Sequence, residues 1–167
     1  MQRLLERKIA ALAAWLSDPS IVAQVSAFNS ANRSLTDRNI RLLDRAWIRE
    51  QGRHAFANAF LTNAIALRLA EYRAAHPDVA EIFITDARGL VIALINPTSD
   101  YNQADEDWWI RAFDGGRGRA TWGGIEYDES SRTRALSVFV PVTNAENGTA
   151  IGVCKAVLDL EMLGRDL

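Results

Sequence analysis

A chain of 167 residues with 49% apolar and 24% charged side chains fits one globular domain, with or without a helical appendage. It needs neither metals nor disulfides to hold a core. The formal net charge of −2, with basic residues scattered and never in runs, leaves no electrostatic footprint for nucleic acid. The single cysteine, Cys154, makes no internal disulfide and reads as a small buried hydrophobe.

The first part of the chain is predicted to be helical. Leu5, Ile9, Leu12 and Leu16 recur at spacings of four, three and four, which places them on one helical stripe. Asp18-Pro19 supplies an N-cap and a first-turn proline for a second helix from Ser20 to about Asn29. The polar run Asn29-Ser30-Ala31-Asn32-Arg33-Ser34 is predicted as a loop. Thr36 can cap a third helix that carries Ile40, Leu43 and Trp47 on one face. Gly52 marks a break, after which Phe56, Phe60, Ala64 and Leu67 continue the helical period as far as His76-Pro77. Trp15 and Trp47 lie on apolar faces as packing residues. His54 and His76 have no partner at metal-ligand spacing.

From Val79 the period changes. Ala80 to Thr85 is β-rich, Asp86-Ala87-Arg88-Gly89 is a turn, and Leu90 to Ile95 closes a hairpin. Asp105 to Phe113 is predicted as a short helix with Asp105, Glu106 and Asp107 in its first turn, where the helix dipole favours acids. Strands are predicted over Ala120 to Tyr127, Ala135 to Val142 and Ala150 to Val157, the last two joined at Asn144-Ala145-Glu146-Asn147-Gly148. The fold class expected is α+β, with an antiparallel five-stranded sheet preceded by a long helical region. The division is residues 1–78, helical, and 79–164, the sheet domain.

The string Phe83-Ile84-Thr85-Asp86-Ala87-Arg88-Gly89 resembles the opening hairpin of Cache domains, the PAS-like extracytoplasmic sensors of bacterial chemoreceptors and histidine kinases. The segment Asp100 to Trp109, with Tyr101 followed seven and eight residues later by Trp108 and Trp109, is similar to that family's ligand-facing loop and helix. Ile125 to Ser130, then Val138-Phe139-Val140-Pro141-Val142, then Ile151-Gly152-Val153 complete the order of strands, so the resemblance covers about half the chain. It implies a ligand-sensing domain of a transmembrane receptor in the periplasm, with Met1 near the exit of one membrane helix and Leu167 near the start of the next. The output, whether kinase, cyclase or chemotaxis module, lies outside this chain.

The resemblance also implies where a ligand sits. In amino-acid-binding members an arginine between the tyrosine and the aromatic pair grips the ligand carboxylate. Here that position is Glu106, which repels one. Those members use an aspartate late in the last strand for the ligand's amino group. The nearest match here is Val157, with Asp159 two residues on. Both departures argue against an ordinary α-amino acid, and Glu106, Asp128 and the aromatic faces favour a cationic or neutral polar molecule. The candidate ligand-binding residues are Tyr101, Glu106, Trp108, Trp109, Tyr127 and Asp128.

Each has a plainer reading. The three acids can be first-turn residues of an exposed helix, and Asp128 can cap a turn. Adjacent on a helix, Trp108 and Trp109 point about 100° apart, so one is expected in the core and the other on a pocket. Glu106 and Asp128 can also be cast as the acid and nucleophile of a carboxylate hydrolase. No phosphate-cradling loop, nucleophile elbow or zinc signature accompanies them, and Asp105-Glu106-Asp107 lacks the spacing of a calcium loop. The chain is therefore read as a binding domain without catalytic residues, cofactor or metal. Its partners are a small-molecule ligand and a second copy joined through the N-terminal helices. A PAS-like module that dimerises on the Leu5–Leu16 stripe and carries no ligand is the alternative.

Overall fold

The structure is a computed structural model that describes residues 1–53, 55–128 and 133–164, with the backbone alone at 128 and 133; His54 lies outside it. Helix α1 (Gln2–Leu16) buries Leu5, Leu12 and Leu16 of the expected stripe and also Leu4, while Ile9 is partly buried. Helix α2 (Pro19–Asn32) starts where Asp18 accepts the amide of Ser20 at 2.8 Å. It ends later than the sequence suggests, because Asn29 and Asn32 are held in it by tertiary bonds. Asn29 donates to the Ile151 carbonyl at 2.7 Å and accepts from the Ala87 amide at 2.8 Å, while Asn32 donates to Asp86 at 2.8 Å. Helix α3 (Asp37–Arg49) opens on a capping box between Thr36 and Asn39.

The single helical run expected towards His76 is two helices, α4 (Ala55–Thr62) and α5 (Ala64–Ala75). Asn63 separates them: its side chain accepts the Ala66 amide at 2.9 Å and donates to the Ile92 carbonyl at 2.7 Å. The amide thus starts one helix and ties it to the sheet.

The sheet comprises β1 (Val79–Asp86), β2 (Val91–Leu94), β3 (Thr121–Asp128), β4 (Thr133–Thr143) and β5 (Ala150–Asp159). Every pairing is antiparallel, in the order β2-β1-β5-β4-β3, which is the order of a PAS-like sheet. Helix α6 (Asp107–Phe113) and a 3-10 turn (Asp114–Gly116) lie in the β2–β3 connection, and α7 (Leu160–Leu163) follows β5. Helix α6 starts two residues later than expected. Asp107 is its only first-turn acid, and Glu106 is the N-cap residue but makes no side-chain cap bond. Gly89 supplies the positive φ of 77° that the β1–β2 turn needs, as the sequence implied.

The period of two along each strand divides the sheet's faces. Ile82, Ile84, Leu136, Val138, Val140, Cys154, Ala156 and Leu158 face a core shared with Leu5, Leu12, Leu16, Ile21, Val25, Ile65 and Leu69 of the helices. Burial of each such aliphatic side chain contributes about 1.5–3 kcal/mol. The helical region and the sheet therefore share one core. Phe83, Phe139 and Val153 face the other way, into a second, largely aromatic cluster with Ile40, Trp47, Tyr101, Trp108 and Trp109. No single helix among the described residues is long and apolar enough to cross a membrane.

Candidate functional site

A cavity of about 560 Å³ lies between α6 and the sheet face opposite the main helical layer. Register fixes its floor. Lys155 of β5 pairs with Phe83 of β1 on one side and Phe139 of β4 on the other, so the three side chains stand in one row. In the adjacent row Val157 pairs with Glu81 and with Ser137. Trp108 of α6 covers the floor, its ring parallel to Phe139 (5.0 Å, 18°) and edge-on to Phe83 (6.0 Å, 83°). The Lys155 ammonium lies 5.1 Å from the Trp108 ring centroid, 5.9 Å from that of Phe139 and 6.0 Å from that of Phe83. The protein's own cation thus occupies an aromatic box.

The walls are charged. Among the described residues, Glu106 and Asp107 at the start of α6, Glu81 of β1 and Glu126 of β3 line the cavity together with Lys155 and Arg111. Burial pulls the Lys155 pKa below its ordinary value, while the charges of Glu106, Glu81, Glu126 and Asp100 act in the opposite sense. Gly123 and Gly124 also line the cavity, at the irregular register between Trp122 and Ile125.

Of the six residues expected to bind a ligand, Glu106, Trp108 and Tyr127 line this cavity. Tyr127 is at its rim, 63% exposed. Tyr101 and Trp109 are placed elsewhere. Tyr101 is fully buried against Trp47, Phe56 and Phe60 at ring separations of 5.6–5.9 Å. Its backbone is fixed there, since Asp44 of α3 accepts the amides of Tyr101 and Asn102 at 2.9 Å, and the Tyr101 carbonyl accepts the amide of Val91 at 3.0 Å. Trp109 turns away from the cavity: its indole N–H donates to the Thr85 hydroxyl at 2.8 Å and its ring stacks on Phe113 at 4.7 Å. The two tryptophans thus divide as adjacent helical residues must, Trp108 to the cavity and Trp109 to the core. Asp128 ends β3, and its side chain lies outside the described residues.

Sequence reasoning passed over Lys155, Arg111, Glu81 and Glu126. A lysine inside the apolar run Gly152-Val153-Cys154-Lys155-Ala156-Val157 was the available signal, since a charge in a two-face-buried strand needs a reason. Among the described residues no cluster of three or more His, Cys, Asp or Glu side chains is placed to hold a metal ion. His76 directs Nδ1 at the Tyr72 carbonyl (2.8 Å) and stacks on the Tyr72 ring.

No family model matches the chain, and no curated protein does. Solved structures are similar to it. The sensor domain of E. coli DcuS is 17% identical, with a TM-score of 0.47 over 77% of this chain and 91% of its own. The sensory domain of the Campylobacter jejuni chemoreceptor Tlp3 is 16% identical, with a TM-score of 0.47 over 98% of this chain and 65% of its own. The ligand-binding domain of the Pseudomonas aeruginosa amino acid chemoreceptor PctC, in complex with GABA, is 18% identical, with a TM-score of 0.42 over 75% and 58%. The chain thus spans less than two thirds of the length of either chemoreceptor structure. All three are sensor, sensory or ligand-binding domains.

Proposed function

We propose that this chain is the ligand-sensing domain of a bacterial transmembrane signalling receptor, extracytoplasmic and non-catalytic, and that it binds a small polar molecule in the cavity under α6. One observation carries the reading: a polar-walled, aromatic-floored cavity of about 560 Å³ on the sheet, the size and character of a small-molecule site. Trp108 supplies the flat apolar wall, and Glu106, Asp107 and Glu126 the charged one. Those three acids favour a ligand that presents a cationic group, and with Glu106 at the mouth they disfavour an unaccompanied anion. Tyr101 and Trp109 support the site from behind.

The relay we infer runs through the sheet. Strand β5 presents Lys155 and Val157 to the cavity and Cys154, Ala156 and Leu158 to the core with α1 and α2. A ligand that favours one arrangement of β5 therefore shifts the population of arrangements of the N-terminal helices. Lys8 of α1 meets the buried Asp78 at 2.8 Å, where β1 begins, and gives the helix a fixed point on the sheet.

The test is a thermal-shift screen of the purified chain against amines, amino acids, organic acids and sugars. A binder of the folded state raises Tm by mass action, and Glu106→Gln and Trp108→Ala are expected to lose that response. If no class stabilises the protein at millimolar concentration, the sensor reading fails and the ligand-free dimerisation module takes its place.

A further inference from the structure

The arginines of α3 look scattered in the sequence, and the helix gathers them. At about 100° per residue, Arg38, Arg41, Arg45 and Arg49 fall within an arc of about 80°, opposite the fully buried Trp47. All four are exposed. So are Leu42 and Ile48, at 54% and 52%, one on each side of the stripe. The acids nearest this face are engaged. Asp44 accepts the amides of Tyr101 and Asn102, Asp37 lies 3.5 Å from Arg88, and Glu50 pairs with Arg49 at 3.0 Å. Arg38, Arg41 and Arg45 have no ion-pair partner among the described residues. Like charges three and four residues apart weaken a helix, and two large aliphatic side chains beside them stand in water. A partner that brings carboxylates and apolar contacts together relieves both costs.

We propose that the outer face of α3 is a docking surface for an acidic helix of a neighbouring protein. Its carboxylates meet the arginine stripe, and its apolar side chains cover Leu42 and Ile48. The planar guanidinium binds carboxylates in bidentate pairs, which suits arginine to such a surface. A second copy of α3 does not fit, since the stripe would face its like. The place of the helix in the fold separates a protein from a lipid surface. Helix α3 begins where Asp37 meets Arg88 of the β1–β2 turn and ends where Trp47 donates to the Thr98 carbonyl. The terminal helices meet the sheet at the other end of β1, where Lys8 pairs with Asp78 and the Asp78 carbonyl accepts the amide of Asp159, the residue before α7. On the reading that both ends of the chain adjoin a membrane, the stripe faces outward beside the sheet, towards a neighbouring protein. It spans about 16 Å from Arg38 to Arg49, so the contact belongs to the small, transient class.

The experiment measures binding of a fluorescent synthetic helical peptide to the purified chain by anisotropy. In the peptide, glutamates recur at spacings of three and four with leucines on both sides of them. One control carries glutamine at every glutamate position, and a second carries lysine. The wild type is expected to bind the glutamate peptide about 10-fold more tightly than the glutamine one. Raising the salt from about 0.1 to 1 M should remove most of that difference, because the screening length falls from about 10 to 3 Å. Arg41→Glu combined with Arg45→Glu is expected to weaken the glutamate peptide about 10-fold or more and to favour the lysine peptide instead. Leu42→Ser combined with Ile48→Ser should weaken the glutamate peptide several-fold. All four side chains are exposed, so the variants should keep the wild-type circular dichroism and Tm; if one does not fold, the three peptides on the wild type decide the matter. Equal binding of the glutamate and glutamine peptides, binding of neither, or unchanged affinity in either double variant overturns the inference. So does binding of phosphatidylglycerol vesicles through α3 without binding of the peptide, which makes the surface a lipid-facing one. The cavity takes no part in this experiment, so its failure leaves the sensor reading standing, and failure of the ligand screen leaves the docking surface standing.

Discussion

Replacing Trp109 tests whether the adjacent tryptophans of α6 have separate jobs. Trp109 is 7% exposed, stacks on Phe113 at 4.7 Å and donates its indole N–H to Thr85 at 2.8 Å. Truncation to alanine removes the ring contacts and leaves a cavity, which costs about 3–5 kcal/mol for a buried tryptophan. At about 2–4 °C per kcal/mol for a chain of this size, the melting temperature should fall by roughly 6–20 °C. Trp109→Phe keeps a stacking ring and loses the hydrogen bond with part of the indole's volume. Thr85 retains its own bond to the Val153 carbonyl at 3.3 Å, so the lost bond itself costs about 1 kcal/mol, and the total stays below that of the alanine variant. Differential scanning calorimetry reads both variants, and titration with whichever probe stabilises the wild type reads the site. The expected pattern is a graded loss of Tm with ligand affinity preserved in Trp109→Phe. If Trp109→Phe melts like the wild type and loses ligand binding, the indole belongs to the cavity and the division between the two tryptophans is wrong.

Gly152→Ala should destabilise the fold, because a Cβ there would drive into the Thr85 carbonyl oxygen and crowd Val25, an overpacking cost of about 1–3 kcal/mol or more that urea unfolding would register. Lys8→Met leaves Asp78, 3% exposed, as a buried charge without its 2.8 Å partner, and should cost about 3–5 kcal/mol; Lys8→Met combined with Asp78→Leu should recover much of that in the same unfolding assay. Asp18 is held below its ordinary 3.8 first by the Arg68 hydrogen bond and then by Ser20. The stability that this depressed carboxylate pKa contributes is complete above its unfolded value. It is lost as pH falls below about 4, so Asp18→Asn should flatten the acid limb of a Tm-versus-pH curve. Burial pushes the Cys154 thiol far above its ordinary range. A thiol reagent should therefore label the native chain only at the rate of opening, and labelling of the folded protein within minutes would place Cys154 outside the core.

The elements that could be read from the sequence were those whose reasons are local. The Leu5–Leu16 stripe is a period, Asp18-Pro19 and Thr36 are caps, and Gly89 is a turn. The boundaries that moved depend on partners distant in the chain. Asn29 and Asn32 look like loop residues because asparagine competes with helical bonding. Here their amides are engaged by Ile151, Ala87 and Asp86, more than fifty residues away, so the helix continues through them. Asn63 escaped notice for the related reason that its helix-starting role is joined to a bond with Ile92. Strand order was open until the register was known, since the hairpin, helix and three strands fit several antiparallel sheets.

The site was half legible for a reason particular to strands. Sequence inspection looked for a ligand's contacts in the loop and helix from Tyr101 to Trp109, where aromatic and acidic residues cluster. Glu106 and Trp108 do reach the cavity. The floor, however, is assembled across three strands by register, and its members lie far apart in the chain: Phe83, Phe139 and Lys155. Each is unremarked where it stands, a phenylalanine or a lysine in an apolar strand. Only the pairing of β5 with both β1 and β4 sets the lysine between two rings, and only the packing of α6 adds the third. Tyr101 shows the converse. Its hydroxyl and ring suited a pocket wall, but Asp44 and Val91 fix its backbone where the side chain points into the cluster around Trp47. An aromatic residue's chemistry alone therefore does not say which side of a wall it stands on; the hydrogen bonds of its backbone do.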